Sequence, residues 1–401
     1  MLTNRQLFQL YQGQTSDSPL MIEIEKAEGI YMYGPNGESY IDLISGVSVS
    51  NIGHRHPKVV EAIHKQTDLY MHLMVYGEYV QSPQTKLAEK LVKLLPEKLN
   101  SCYFVNSGSE ANEGALKLAK RYTKRSKLIA FNKAYHGSTH GALSVMGGET
   151  YKSAFRPLLP GISFLNFNAE DELGQIDDSV AAVIVEPIQG EAGIIVPEND
   201  FLIKLRKRCN ETGTLLIFDE VQTAFGRTGK MFAYENYGVV PDIITFAKGL
   251  GGGMPLGAFV ANKDVMNTLT NNPVLGHITT FGGHPVSCAT ANATLDVIVN
   301  EQLCKSAIYK GRKFRELLVH PAFKSIRGIG LFLAVELESY AFLRTFLNHS
   351  IELGAVFDWF IFEDRYFRIT PPLTITEEEI IKTVDILKKA ADRTLKMKKQ
   401  K

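Results

Sequence analysis

The sequence has few cysteines and almost no net charge, and these shortages exclude several classes of protein. Only four cysteines occur among 401 residues, and none forms a C-x-x-C pair, which argues against a disulfide framework and against a zinc site. Lysine and arginine number 44 against 43 acidic residues, giving a net charge of +1. A nearly neutral chain lacks the excess of positive charge that nucleic-acid-binding proteins typically carry. We therefore expect neither nucleic acid nor a metal ion as a ligand.

Long apolar runs are also missing. No stretch approaches the roughly 20 apolar residues that a membrane-spanning helix needs. Residues 1–20 lack the apolar core of a signal peptide. The sequence therefore predicts a protein without a membrane anchor, located in the cytoplasm, where its cysteines stay reduced.

What the sequence does contain is a series of short, continuously apolar segments that alternate with helical patterns. Such strands are typical of a mainly parallel sheet covered by helices on both faces, so we predict an α/β fold. The predicted strands are residues 102–105, 128–131, 181–185, 214–218, 243–246 and 256–260.

The two ends of the chain follow another pattern. Residues 22–43 read as a short meander with too little core of its own, and residues from about 300 onward mix helices with short strands. A helical pattern from Pro285 to about Val299 connects the two parts. We therefore predict a large domain over residues 51–299, a small α+β domain over residues 300–401, and an N-terminal segment, residues 1–50, that packs with the small domain.

Lys248 stands directly after the predicted strand Ile243–Phe246 and one alanine, and four of the next five residues are glycine. Burial lowers the pKa of a lysine and favours the neutral amine that attacks carbonyls, so Lys248 is a candidate for a Schiff base with an aldehyde cofactor. A solvated lysine at a strand end is the commoner explanation of such a stretch by itself. The glycines do not form a dinucleotide-binding motif, because Met254 takes the place of the third glycine.

Other candidate residues follow other predicted strands. Ser107 and Ser109 open a helix whose start could bind phosphate, or they simply cap it. Asp219 could pair with a protonated ring nitrogen, or form an ordinary salt bridge. Tyr135 could stack on a planar ring, or belong to the core. Because ligands bind at the carboxyl ends of such strands, these features together with Lys248 describe one ligand, pyridoxal 5′-phosphate.

These features make the sequence resemble the class III pyridoxal-phosphate aminotransferases of fold type I, which include ornithine, acetylornithine and 4-aminobutyrate aminotransferases. The resemblance extends over nearly the whole chain, and its motifs occur in matching order and spacing. They are the segments at residues 106–113, 135–137, 185–193, 218–229, 247–249 and 279–285. The resemblance implies a seven-stranded sheet and transfer of an amino group to a keto acid by a ping-pong mechanism.

The resemblance also implies roles for individual residues around the cofactor ring. Lys248 would form the Schiff base and then carry the proton, and Asp219 would pair with the pyridine nitrogen. Val221 and Tyr135 would pack on opposite faces of the ring, and Gln222 would hydrogen-bond its phenolic oxygen.

The same resemblance implies which residues bind the cofactor phosphate and that a partner subunit takes part in the site. Gly108 and Ser109 would hold the phosphate, and Thr280 would reach the phosphate bound to a second subunit, which implies a homodimer. Three further residues are implied at the cofactor: Ser107, His136 and Glu186.

Substrate recognition is implied for two residues. Arg368 matches the family arginine that binds the α-carboxylate of 2-oxoglutarate, and Glu191 matches the glutamate that pairs with it when ω-amino donors bind. One departure affects the donor: Ser138 occupies a position where acetylornithine and 4-aminobutyrate enzymes typically carry arginine. The identity of the amino donor therefore stays open. It could be a diamine or another ω-amino compound, or its carboxylate could be bound elsewhere, by Arg227 or by residues near Tyr76. An aminomutase, epimerase or decarboxylase on the same cofactor is the alternative function.

Overall fold

The computed structural model describes residues 1–399. Its strands are β1 (Lys26–Glu28), β2 (Tyr31–Tyr33), β3 (Ser39–Asp42), β4 (Ser101–Val105), β5 (Lys127–Phe131), β6 (Ile162–Leu165), β7 (Val180–Val185), β8 (Leu215–Asp219), β9 (Ile243–Phe246), β10 (Gly257–Ala261), β11 (Ile326–Ile329), β12 (Phe332–Glu336), β13 (Ala355–Val356) and β14 (Tyr366–Ile369).

Helices connect most of these strands. They are α1 (Asn4–Tyr11), α2 (Ser45–Ser48), α3 (Pro57–Thr67), α4 (Ser82–Leu94), α5 (Gly108–Thr123), α6 (His140–Ser144), α7 (Phe201–Thr212), α8 (Lys263–Met266), α9 (Pro285–Asn300), α10 (Leu303–Leu317), α11 (Tyr340–Glu352) and α12 (Glu377–Lys399). Short 3₁₀ turns occupy Glu149–Tyr151, Ser153–Phe155, Glu170–Gln175, Ala233–Asn236, Lys248–Gly251 and Asn267–Thr270.

A seven-stranded sheet in the order β4-β10-β9-β8-β7-β5-β6 organises the middle of the chain. The pairs β5–β6, β5–β7, β7–β8 and β8–β9 are parallel, and β10 alone runs antiparallel to both of its neighbours. Every residue of β7 is buried, with Ala182 and Ile184 in one apolar cluster and Val183 and Val185 in the other. Because alternate side chains enter different cores, the sheet is covered on both faces, as its continuous apolar strands predict.

Two smaller sheets are built from the ends of the chain. β1, β2 and β3 form a meander, and β3 pairs in parallel with β13, so the N-terminal segment joins the C-terminal part of the chain. β11, β12 and β14 form an antiparallel sheet that carries Arg368. The domain boundaries at residues 50 and 299 stay a prediction, and residues 400 and 401 lie outside the described part.

Some elements were not individually predicted. β6 has the mixed sequence Ile162-Ser163-Phe164-Leu165 and lies at the edge of the large sheet, where one flank is open and an apolar run is not required. β11 is short and only partly apolar, and β13 is apolar but only two residues long. Among residues 1–399, no helix has the length and apolar character needed to cross a bilayer.

Candidate active site

A cavity of about 440 Å³ lies at the carboxyl edge of the large sheet. The loops that follow β4, β5, β7, β8 and β9 line this cavity. Residues 253–256, which precede the antiparallel strand β10, line it as well. Its lining consists of Val49, Asn106, Ser107, Gly108, Ser109, Asn112, Tyr135, His136, Gly137, Glu186, Asp219, Val221, Gln222, Ala247, Lys248, Gly253, Met254, Pro255 and Leu256. Ten residues that the sequence places at a cofactor are therefore brought together, and Thr280 is not among them.

Lys248 stands at the first position of the 3₁₀ turn that follows β9, and its backbone has a φ of 47°. A non-glycine residue in this left-handed region is strained, and such residues concentrate at functional sites. Burial lowers the pKa of the Lys248 ammonium below its ordinary value, although nearby carboxylates oppose the shift. The lysine is thus poised to lose its proton inside the cavity, which a nucleophilic amine requires.

Asp219 ends β8 and points its carboxylate into the cavity with little contact with solvent. Its Oδ2 lies 2.7 Å from Nδ1 of His136 and accepts a hydrogen bond from Nδ2 of Asn112 at 2.8 Å. Its Oδ1 accepts the backbone N–H of Val221 at 3.0 Å. These partners hold a buried carboxylate in one orientation, as pairing with a cationic ring nitrogen requires.

The neighbouring carboxylate of Glu220 points away from the cavity. It accepts the backbone N–H groups of Ala233 and Tyr234 at 2.7 and 2.8 Å and the Thr223 hydroxyl at 2.9 Å. Burial raises the pKa of Glu220 to about 7. The expected divergence of the two adjacent side chains on the strand is therefore observed.

Asn112 and Thr245 also support this part of the site, although sequence patterns alone do not mark them as site residues. The Nδ2 of Asn112 donates to Asp219 and to the backbone carbonyl of His136, both at 2.8 Å. Its Oδ1 accepts the Thr245 hydroxyl at 2.7 Å. The available sequence signal was an asparagine on the otherwise apolar buried face of α5.

The start of α5 forms one wall of the cavity. The Ser107 hydroxyl accepts the backbone N–H of Glu110 at 3.2 Å, so Ser107 is the helix cap. A Cβ at Gly108 would lie 2.8 Å from a methyl group of Val221, and one at Gly137 would overlap the Ser109 hydroxyl. The wall is therefore narrow and lined by backbone N–H groups and a hydroxyl, which suits a phosphate group.

Glu186 connects two loops around the cavity. Its carboxylate accepts the backbone N–H of Tyr135 at 3.1 Å and that of Gly190 at 2.8 Å. Burial raises the pKa of Glu186 to about 7. This side chain fixes the position of Tyr135 relative to the loop that carries Glu191.

Arg368 and Glu191 form a buried ion pair beside the cavity. Nη2 of Arg368 lies 2.8 and 3.0 Å from the two carboxylate oxygens of Glu191. Gln222, which lines the cavity, donates to Glu191 at 3.0 Å and accepts from Nη1 of Arg368 at 3.3 Å. The pair is therefore in contact with the cavity through Gln222.

Opposing effects set the protonation of this pair. Burial is the largest single effect and acts to raise the pKa of Glu191, but the charges of Arg368 and Lys248 and the hydrogen bonds from Gln222 and Arg368 together hold that pKa below its ordinary value. Burial also acts to lower the pKa of Arg368, but Asp358 and Glu191 raise it above the ordinary value. Both side chains are thus charged at neutral pH.

Arg227 does not face the cavity, so it is not an alternative carboxylate anchor. It is fully buried and donates to the backbone carbonyls of Leu331 and Pro371 and to the side chain of Asn51. Tyr76 lines a separate cavity of about 260 Å³. Ser138 is exposed, and its hydroxyl lies 3.2 Å from that of Tyr135.

The class of protein follows from this fold and site together with solved structures. A transaminase from Virgibacillus superposes with a TM-score of 0.92 at 27% identity, covering 98% of each chain. The ornithine aminotransferase of Toxoplasma gondii, which holds pyridoxal phosphate at its active site, gives a TM-score of 0.90 at 30% identity and covers 98% of this chain and 94% of its own. The fold is that of the fold type I pyridoxal-phosphate enzymes.

The family is narrower than the fold. The model of the class-III aminotransferase family matches residues 12–391, so the chain belongs to that family. Acetylornithine aminotransferases from Methanocaldococcus jannaschii and Bacillus subtilis are each 39% identical to it, covering 92% of this chain and 93% and 94% of their own. The chain is thus a transaminase that uses pyridoxal 5′-phosphate, and its expected family, fold and cofactor are confirmed.

The residues present fit this cofactor. A narrow phosphate-sized wall at α5, a fixed carboxylate at Asp219 and a deprotonatable amine at Lys248 line one cavity. When bound, pyridoxal phosphate supplies an aldehyde for the amine and a ring that withdraws electrons from the substrate carbon.

Proposed function

We propose that this transaminase takes an amino group from an ω-amino compound and gives it to 2-oxoglutarate. The observation that supports this most is the ion pair between Glu191 and Arg368 next to Gln222. Paired, the two side chains present little charge to a donor whose reacting end is a plain amine. When Glu191 moves away, the planar guanidinium of Arg368 can bind a carboxylate with two parallel hydrogen bonds.

In this proposal the residues that line the cavity have separate tasks. Lys248 would hold the cofactor through its amine and, when that amine is free, would take the proton from the substrate carbon. Asp219 would keep the ring nitrogen protonated, because a buried carboxylate stabilises a cation beside it. Gln222 would donate a hydrogen bond to the phenolic oxygen, and Tyr135 and Val221 would pack on the two faces of the ring.

Phosphate binding is assigned to the start of α5. Gly108 and Ser109 hold the phosphate through backbone N–H groups and a hydroxyl, with Ser107 capping the same helix. His136 acts through Asp219, and Glu186 acts by holding the Tyr135 loop in position.

The donor is an ω-amino compound whose far end is not held by an arginine after Tyr135. Ser138 has a neutral, exposed hydroxyl at that place, and Arg227 is bonded elsewhere. A diamine or another ω-amino compound without a terminal carboxylate fits such a site better than N-acetylornithine does, although relatives named acetylornithine aminotransferase match the chain.

Changing Arg368 to lysine tests the acceptor. Lysine keeps the positive charge but loses the planar fork, so the carboxylate of 2-oxoglutarate loses a charge-assisted hydrogen bond of about 2 kcal/mol. We expect kcat/KM for 2-oxoglutarate to fall about 30-fold, while conversion of a simple amine donor in a single turnover changes little. Arg365→Lys, an exposed arginine nearby, is the matched control. Equal losses with donor and acceptor would contradict the assignment.

We further propose that the protein is a homodimer in which Thr280 binds the cofactor phosphate of the partner subunit. Thr280 is exposed, and two large apolar side chains close to it in sequence, Ile278 and Phe281, are exposed as well. Exposed apolar surface of this kind is typical of an interface between subunits. Elsewhere in the chain, Leu69, Met71, Tyr79, Val80 and Val274 are also large, apolar and exposed. The location in the cytoplasm stays a prediction from sequence.

Mixed dimers test this arrangement. Thr280→Ala should weaken cofactor binding about 10- to 100-fold, because a hydrogen bond to a charged phosphate is lost. Mixing Lys248→Ala chains with Thr280→Ala chains should restore sites of wild-type cofactor affinity, since one of the two sites then has both native residues. Mixing Lys248→Ala with Asp219→Asn chains should restore none. Absence of recovery in the first mixture would show that Thr280 acts within its own chain or not at all.

A further inference from the structure

Arg368 has a second carboxylate partner, Asp358. The Asp358 Oδ1 lies 3.0 Å from Nε of Arg368, on the side of the guanidinium away from the Nη1 atom that contacts Gln222. Neither Asp358 Oδ1 nor Arg368 Nε has a hydrogen-bond partner among residues 1–399. The ionic contact between these two atoms is therefore the polar contact that each of them makes. Burial raises the pKa of Asp358 to about 6 even though Arg368 opposes the shift, so the carboxylate is ionised at neutral pH.

The two carboxylates hold Arg368 by different means. Glu191 belongs to the loop after β7 in the large sheet and is bound to the arginine through its side chain. Asp358 belongs to the same part of the chain as Arg368: its backbone carbonyl accepts the Arg368 N–H at 2.9 Å, and Trp359 bridges to Phe367. Movement of Glu191 therefore does not require movement of Asp358.

Phe360 packs against the guanidinium of Arg368. Its buried ring lies under Arg368, with 4.6 Å between the ring centre and Cζ. The next residue, Ile361, offers its backbone N–H to Glu191 at 3.3 Å. Segment 358–361 thus contacts both members of the ion pair: the side chains of Asp358 and Phe360 contact Arg368, and the backbone N–H of Ile361 makes one long contact with Glu191.

We propose that Asp358 is a positioning residue for the acceptor: it keeps Arg368 oriented after Glu191 has released it. With Nε occupied by Asp358 and the ring of Phe360 below, the guanidinium presents its Nη1 and Nη2 atoms to the α-carboxylate of a keto acid. Glu191 is the counter-ion that exchanges, and Asp358 is the one that remains. This inference rests on the proposed role of Arg368 but holds for any keto acid, because every such acceptor carries an α-carboxylate.

Two substitutions at Asp358 test the proposal. Asp358→Ala removes the contact and should raise the keto-acid concentration needed for half-maximal single-turnover reaction of the aminated enzyme about tenfold, because the arginine loses its fixed orientation. The maximal rate and the reaction of the aldehyde form with an amine donor should remain near wild type. Asp358→Asn keeps an oxygen at the same place and should lie closer to wild type than the alanine variant.

Binding without reaction gives a second readout. Glutarate carries carboxylates but no keto group, and its affinity measured by calorimetry should fall in the order wild type, Asp358→Asn, Asp358→Ala. Asp364→Ala, which removes an exposed carboxylate from the turn just before β14, serves as the control and should match wild type.

The outcomes are distinguishable. Equal losses in both half-reactions, an unchanged dependence on keto acid, or an asparagine variant as impaired as the alanine variant would overturn the role of Asp358. A wild-type enzyme that reacts with another keto acid but not with 2-oxoglutarate would instead overturn the proposed acceptor, and the Asp358 variants would then be compared with that keto acid.

Discussion

Replacing Lys248 with alanine is expected to leave a folded protein that has lost transaminase activity. The side chain ends in a cavity at the edge of the sheet, where burial lowers its pKa and makes the neutral amine available. In the proposed function this amine both attaches the cofactor and carries the proton, so we expect kcat to fall by at least about 10³-fold. Single-turnover kinetics with an amine donor would measure the loss.

A control variant and a chemical rescue test whether the loss is specific to Lys248. Lys263→Ala removes an exposed lysine at the start of α8 and should behave as wild type. Added methylamine should recover part of the proton transfer in the Lys248→Ala protein, since a small free amine can occupy the vacated space. Borohydride treatment of the wild type should fix the cofactor on the peptide that contains Lys248. Full activity in the alanine variant, or fixation on another lysine, would refute the role of Lys248.

The second large effect is expected for Asp219→Asn. Asparagine is nearly isosteric but carries no charge, so the cation on the cofactor ring would lose its partner in a buried place. Removing one preorganised electrostatic contact of this kind lowers kcat by about 10²- to 10³-fold. The amide would also bring an N–H group towards His136 and Asn112, which now share Oδ2. We therefore expect weaker cofactor binding as well, measured by spectroscopic titration.

The adjacent residue provides a matched control. Glu220→Gln changes a neighbouring buried carboxylate that points away from the cavity and bonds to the backbone of Ala233 and Tyr234. It should lower the melting temperature but leave kcat unchanged. If Glu220→Gln impaired kcat as much as Asp219→Asn, general damage to the end of β8 would explain both.

Much of the site could be predicted because its residues follow strands that the sequence marks clearly. Lys248 and Asp219 each come directly after a continuously apolar segment, and the carboxyl ends of parallel strands meet at one edge of a sheet. By itself the lysine stretch is better explained as a solvated strand end. It becomes informative together with Ser109, Asp219 and Tyr135, which complete the outline of one cofactor.

What could not be predicted depends on contacts between distant parts of the chain. Asn112 contacts Asp219 across 107 residues, and a buried asparagine on a helix does not reveal its partner. Asp358 contacts Arg368 across ten residues of an irregular segment whose path local patterns do not determine. The antiparallel direction of β10 was likewise hidden, because an apolar strand has the same composition in either direction.

The most direct test of the account follows both half-reactions of the wild-type enzyme. The protein loaded with pyridoxal phosphate would be mixed with a panel of amines in the absence of keto acid, and the absorbance of the bound aldehyde form would be recorded. We predict that an ω-amino donor removes this absorbance in stoichiometric amount, and that 2-oxoglutarate, added after desalting, restores it and yields an equal amount of glutamate. Repeated turnover of a donor without any keto acid would contradict the account.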